Sequence, residues 1–217
     1  MRVGQTDIPF ARSARNLGVI FDNELSMKEQ VTKVCQCAYF ELRKISSIRK
    51  YLTTDATKIY IVTSLVLSRL EYCNSLLAGL PQKHICKIQR VMNCAARLIF
   101  KASKRQHVSP LLSDLHWLSI ENRIKYNIST VCFNIISGSA PPYLSELVQL
   151  YTPSRNLRSS SDSRILRVPI RRKITQGQRA FSCYGPVVWN TLPFHIRHAQ
   201  TLASFKSLLK TFLFSRQ

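Results

Sequence analysis

Between residues 27 and 48 apolar side chains recur every three or four positions, at Met27, Val31, Val34, Ala38, Leu42 and Ile45. That spacing predicts one amphipathic helix with a single buried face. Ser26 followed by Glu29 has the spacing of a capping box at its start. Arg43, Lys44, Arg49 and Lys50 crowd its end, where the helix dipole favours cations. Thr54 is the candidate cap of a second helix. Ile59, Ile61, Val62, Leu65, Val66 and Leu70 nearly encircle it, so the pattern predicts burial on several sides. Gly79 and Pro81 end that run. A third helix then carries Ile85, Ile88, Met92, Ala95 and Ile99 on one stripe, with Lys87, Arg90 and Arg97 elsewhere, and KASKRQH (101–107) follows as a basic loop.

Pro110 after Ser109 suits a first helical turn, and Ser119 with Asn122 opens a longer helix with an apolar face of Ile120, Ile124, Ile128, Val131 and Ile135. Gly138 stops it, and Pro141–Pro142 mark the next boundary. The two ends of the chain read differently. In residues 1–22, RVGQT and NLGVIF are rich in Val, Ile and Phe and flank a turn region around Pro9, which predicts a β-hairpin. Residues 151–163 form a polar loop, ILRVPI and KIT read as short strands, and TLASFKSLLKTFLF (201–214) closes the chain as an amphipathic helix. The expected fold is therefore mainly α: a helical bundle preceded by a β-hairpin, with a small β-containing basic C-terminal subdomain and a terminal helix. The expected divisions are 1–25, 26–150 and 151–217.

Charge changes this picture more than composition does. The 217 residues are 45% hydrophobic, enough for a buried core, but 32 Lys and Arg against 11 Asp and Glu give a net charge of +21. Residues 151–217 alone hold twelve Lys or Arg and one acid, Asp162, a local +11. Such a field favours polyanions, nucleic acid first. The seven cysteines mostly fall in apolar helical patterns, which predicts small reduced thiols and an intracellular location, nucleus or cytoplasm. The longest apolar run, Ile59–Leu67, is about half the length a membrane span needs, so no membrane partner is expected. Arg2, Arg12 and Arg15 resemble a targeting presequence, but Asp7 and Pro9 interrupt any amphipathic helix there.

Catalytic patterns are scarce. Cys35 and Cys37 point apart on a helix, and the stretch His84–Cys94 does not have zinc-finger spacing, so no metal or cofactor is expected. Cys183 with His195 or His198 is the only tempting nucleophile pair, and it carries no family signature. The aspartates at 7, 22, 55, 114 and 162 stand far apart, which argues against a two-metal phosphoryl site, and there is no P-loop or GxGxxG. Binding is better supported. Arg155, Arg158, Arg164, Arg167, Arg171, Arg172, Lys173 and Arg179 are interspersed with hydroxyls and aromatics, a composition suited to phosphates. Arg43, Lys44 and Lys50 add a second cluster. Tyr184 and Trp189 could stack a base; Phe181, Val187, Val188, Trp189 and Leu192 read more simply as a small core.

Several stretches together resemble the C-terminal end of LINE-type, non-LTR retrotransposon reverse transcriptases of the jockey-like group. They are SRLEYCNSLLAGLP (68–81), IQRVMNCAARLIF (88–100), LHWLSIENRIKY (115–126), APPYL (140–144), SRNLRSS (154–160), RAFSCYGPVVWNTLP (179–193) and FKSLLKTFLF (205–214). NLGVIFDNELSM (16–27) resembles the stretch that leaves the polymerase palm and enters the thumb. The resemblance covers nearly the whole chain. It implies a palm-to-thumb hairpin (1–25), a helical thumb-like domain (26–150) and a basic C-terminal domain (151–217). Their implied role is to hold an RNA or DNA template-primer, with the palm and endonuclease portion of the polyprotein as a further partner. The family's palm carries an aromatic-x-Asp-Asp motif; this chain has no Asp-Asp, so the resemblance implies binding without polymerase activity. The hairpin around Leu17, Gly18 and Val19 is implied to approach the primer end. Gln30 stands where the family often has His, and Gln178 where an acid commonly precedes the arginine. Within this frame Phe181, Trp189 and Leu192 are expected to form a structural clamp that docks the tail and aims neighbouring arginines outward. The alternative reading is a domesticated basic helical scaffold that binds protein partners.

Overall fold

The computed structural model describes residues 2–3, 6–7, 11–152, 164–170 and 176–216. The chain is mainly helical with antiparallel hairpins at its N-terminal end. It divides into two compact units: Met1–Cys73 with Leu80–Leu111, and Asn74–Gly79 with Leu112–Gln217. Charge composition shifts near residue 150; packing divides the chain elsewhere.

Two short hairpins open the first unit. Strands β1 (Arg2–Val3) and β2 (Thr6–Asp7) pair with each other, as do β3 (Ser13–Asn16) and β4 (Val19–Asp22). Among the described residues RVGQT and NLGVIF do not pair with each other, and the turn region expected around Pro9 lies outside the described residues. Leu17 and Gly18 make a two-residue turn with φ of 45° and 84°, so Asn16 pairs directly with Val19. Turns with two positive φ values match the twist of paired strands, and glycine adopts such a value without a Cβ clash.

Helix α1 (Lys28–Ile48) spans nearly the predicted residues and buries Val31, Cys35, Ala38, Leu42 and Ile45. Its start differs from the expected capping box. Met27 at the N-cap makes no side-chain cap bond. Instead the Asp22 carboxylate accepts from the backbone N–H groups of Ser26 and Met27, each at 2.8 Å. A carboxylate held by strand β4 thus fixes the two residues that lead into the helix, so the hairpin and the helix start are one construction.

The second helical run is continuous through α2 (Thr54–Ala56), a π-helical segment (Thr57–Leu67) and α3 (Ser68–Glu71). Thr53, one residue before the predicted cap, accepts from Ala56 N–H at 3.1 Å. The Ser68 N–H reaches the Thr63 carbonyl five residues back, the wide-turn pattern. Val62, Val66 and Leu70 are buried, but Ile59 is 55% and Leu65 42% exposed. Thr57 and Leu67 are buried too, so among the described side chains the expected burial on several sides is met only in part; the Ile61 side chain lies outside them.

Helix α4 (Gln82–Phe100) packs along α1 and buries Ile85, Ile88, Val91, Met92, Ala95, Ala96 and Ile99. Arg49, expected among the basic residues at the end of α1, is 5% exposed. Its guanidinium donates to the Leu98, Ile99 and Leu52 carbonyls at 2.9, 2.6 and 2.7 Å. The first two belong to the last turn of α4, whose carbonyls have no partner within the helix. One planar fork closes that turn.

Helix α5 (Ser109–Asp114) spans the division after Leu111 and leads, in the second unit, to α6 (Ile120–Ile136), capped as predicted by Ser119, which accepts from Asn122 N–H at 3.3 Å. Val131 and Ile135 are only half-buried, while Cys132 and Phe133 face the core. Helices α7 (Pro142–Ser145), α9 (Phe181–Asn190) and α11 (Leu202–Phe214) pack on α6, with α8 (Gln176–Arg179) against α9 and α10 (Phe194–Arg197) against α11. ILRVPI contributes a single antiparallel bridge, Leu166 to Leu150, rather than a strand. KIT, and the loop from 153 to 163, fall outside the described residues.

Candidate nucleic-acid interface

The Leu17–Gly18 turn and helix α1 enclose one side of a cavity of about 360 Å³ in the first unit. Arg15 from β3, Lys33 and Cys37 from α1, and Ser68, Arg69 and Tyr72 at the end of the second helical run line it. Two hydrogen bonds fix this geometry. The Tyr72 hydroxyl donates to the Leu17 carbonyl at 2.6 Å, and the Ile20 N–H donates to Gln30 Oε1 at 2.9 Å. Gln30 is only 6% exposed, and its bond to Ile20 ties β4 to α1. Asp22 below it is held beneath the usual carboxylate range. Burial alone would push its pKa up, but the hydrogen bonds from Ser26, Met27 and Glu24 outweigh that.

Three cations therefore line the cavity beside the turn. Arg69 donates to the Leu65 carbonyl at 3.1 Å and lies 3.5 Å from Glu41, whereas Arg15 and Lys33 are exposed and have no ion-pair partner among the described residues. Leu17 is 84% exposed at the tip and Val19 is buried beneath it. The turn presents backbone and glycine to solvent with positive charge on its flank, a surface that suits an anion approaching closely.

Of the second cluster, Arg43 is exposed, Lys44 lies 4.4 Å from the centre of the Phe40 ring and 3.9 Å from Glu41, and Lys50 lies 4.8 Å from the centre of the Tyr51 ring. Phe40 is 55% and Tyr51 77% exposed, which makes these two the accessible aromatics of α1 and its end.

The C-terminal arginines divide. Arg155, Arg158, Arg171, Arg172 and Lys173 lie outside the described residues. Arg167 is exposed. Arg164 and Arg179 turn inward: Arg164 Nη1 donates to the Arg197 and Ala199 carbonyls at 2.9 and 3.2 Å, and Arg179 Nε to Ala78 O at 3.2 Å. These two are struts rather than outward-aimed charges, because carbonyls left over by short helices and turns attract the nearest fork of donors.

Trp189 is fully buried. It stacks on Phe205 at 5.6 Å, and its Nε1 donates to the Arg164 carbonyl at 2.7 Å, so its face is closed to a nucleobase. Leu192 is buried beside it in sequence, and Phe181 is half-buried. A Cβ on Gly185 would meet Cys132 Sγ and the Phe181 ring at 3.2 Å each, a measure of how closely α9 lies on α6. Tyr184 is half-buried, and burial pushes its hydroxyl pKa up. Burial likewise pushes the Cys132 thiol up to about 12, leaving it protonated and inert. The cysteines are less uniformly packed than expected, since Cys73, Cys86 and Cys94 are exposed.

Among the described residues no cluster of three His, Cys, Asp or Glu could hold a metal, and no helix is long and apolar enough to cross a membrane. Compared with protein-family models, curated proteins and solved structures, the chain matches none.

Proposed function

We propose that this chain is a nucleic-acid-binding part of a LINE-type reverse transcriptase, holding template and primer without performing chemistry. The observation that carries the reading is the cavity at the Leu17–Gly18 turn, where Arg15, Lys33 and Arg69 line the space beside exposed backbone. A strand end reaching this turn meets cations for its phosphates and a glycine that offers no steric barrier. Exposed Arg167 adds phosphate contacts, together with Arg155, Arg158, Arg171, Arg172 and Lys173 of the same basic region. The sequence contains no adjacent aspartates to bind catalytic metals. The motif resemblance over nearly the whole chain supports the same assignment.

The reading is tested by titrating RNA onto the full chain at several salt concentrations. Affinity should fall on a log–log plot with a slope of about −0.7 per phosphate contacted on a single strand. Arg15→Gln with Lys33→Gln should weaken binding several-fold and reduce the slope by about 1.4. Primer, template, dNTPs and Mg²⁺ added to the chain should yield no extension; any extension overturns the non-catalytic assignment. A second reading, a basic scaffold for protein partners, has the inward arginines in its favour, since charge used to bind the chain's own carbonyls needs no polyanion. A flat salt response would select it.

A further inference from the structure

Helix α4 carries a row of cations that neither the hairpin cavity nor the C-terminal basic region includes. From Gln82 to Val108 there are seven Lys or Arg and no acid; the nearest carboxylates in sequence are Glu71 and Asp114. On α4 the spacing is regular. Lys83, Lys87, Arg90, Cys94 and Arg97 follow one another at three- or four-residue steps, which confines them to an arc of about 80° and a length of about 21 Å, and Lys101 stands at the C-cap just past the helix end. All are exposed except Arg97, which is half-buried. The opposite face of the helix carries Ile85, Ile88, Met92, Ala95 and Ile99 into the core, so the row is held straight by packing.

Arg97 extends the row into the following loop. Its Nη2 donates to the Gln106 carbonyl at 3.0 Å, which folds the loop back toward the helix and leaves Lys104 and Arg105 exposed. None of Lys83, Lys87, Arg90, Lys101, Lys104 or Arg105 has a carboxylate partner among the described residues. Mutual repulsion along such a row is unfavourable unless an anion of matching length relieves it.

Resting on the nucleic-acid reading above, we infer that this face of α4 and its loop form a backbone-tracking surface for a nucleic-acid duplex. The choice of duplex follows from what the row lacks. Surfaces for single strands offer aromatic rings on which bases stack, and the arc contains none. In a duplex the bases are already stacked and paired, and a straight row of cations meets only the phosphates, positioning the duplex without reading its sequence. Lysine predominates over arginine in the row, in keeping with contact to a phosphate chain by point charges rather than bidentate recognition of particular groups.

The test compares the full chain with Lys83→Gln, Lys87→Gln, Arg90→Gln and Lys101→Gln combined, all solvent-facing changes that leave the core untouched. A DNA duplex of about 20 base pairs and its single strand are titrated across salt, where each lost duplex contact removes about 0.9 from the slope. The combined variant should bind the duplex at least about tenfold more weakly with a slope smaller by about 3.6, and bind the single strand much less altered. Acetylation of the wild type supplies a readout without mutation: duplex should protect Lys83, Lys87 and Lys101 while Lys210 stays reactive. If wild type binds duplex with salt dependence and the variant matches it, with no protection, the α4 surface is wrong and the nucleic-acid reading stands. If wild type binds neither form, or binds only a polyglutamate probe, both fail.

Discussion

The two units use positive charge in opposite ways. In the unit formed by residues 74–79 and 112–217, Arg123, Arg164, Arg179 and Arg197 all direct guanidinium groups at backbone carbonyls, those of Leu118, Arg197 with Ala199, Ala78 and Leu192 respectively. Burial pushes the Arg123 guanidinium down to about 10, still charged at neutral pH. In the unit formed by residues 1–73 and 80–111, Arg49, Arg69 and Arg97 also donate to carbonyls, while Arg15, Lys33, Lys83, Lys87, Arg90 and Lys101 face water without carboxylate partners among the described residues. The difference follows from architecture. Short helices and turns leave many carbonyls without intrahelical partners, and arginine forks satisfy them; long helices satisfy their own carbonyls and leave the cations outside. Net charge is thus a poor guide to where a polyanion binds, because part of it is structural.

The sharpest test of the structural side is Trp189→Ala. Removing a fully buried indole that stacks on Phe205 and bonds the Arg164 carbonyl should cost about 3–5 kcal/mol, read by urea unfolding. A loss below about 1 kcal/mol would mean that this ring does not organise the second unit's core. Next comes Arg49→Ala, which leaves the last carbonyls of α4 unpaired and should cost about 2–3 kcal/mol, with Arg49→Lys recovering little because an ammonium cannot reproduce the fork.

A matched pair tests the comparison directly. Arg164→Gln should lower stability by about 1–2 kcal/mol and leave the salt slope of nucleic-acid binding unchanged, whereas Arg90→Gln should leave stability within about 0.5 kcal/mol and reduce the slope. The reverse pattern would exchange the roles assigned to the two units.

The smallest expected effect is at Asp22. Its pKa is depressed in the folded state, so its contribution is complete above the ordinary carboxylate value and is lost as pH falls through the depressed one. Asp22→Asn should flatten that acid limb of the stability curve. An identical acid limb in wild type and variant would show that the carboxylate does not hold the start of α1.

Periodicity made much of the fold legible. The three-to-four-residue spacing of apolar side chains located α1, α4, α6 and α11 to within a residue or two at most ends, because each helix buries one face and solvates the other. The second helical run escaped that logic: its all-round apolar pattern predicts burial on several sides, but its π-helical turns leave Ile59 and Leu65 exposed. At the N-terminus, β-rich composition pointed to a hairpin, and Leu17–Gly18 turns one whose strands are four residues long; the turn region around Pro9 lies outside the described residues.

The candidate site was legible by residue type and illegible by environment. Leu17, Gly18 and Val19 were marked in sequence, but Arg15, Lys33, Arg69 and Tyr72 stand up to 57 residues apart and meet only when α1 and the second run pack. The row on α4 was present as scattered Lys and Arg letters, and needed the helix phase and the absence of nearby carboxylates to become a surface. What the sequence by itself determined was the amount of charge, the helical phases and the lack of paired aspartates, all local or additive properties. Which cations face water and which close a carbonyl was decided by tertiary structure, because a guanidinium's fate depends on orphan acceptors brought near it from distant parts of the chain, as Leu98 and Ile99 are brought to Arg49.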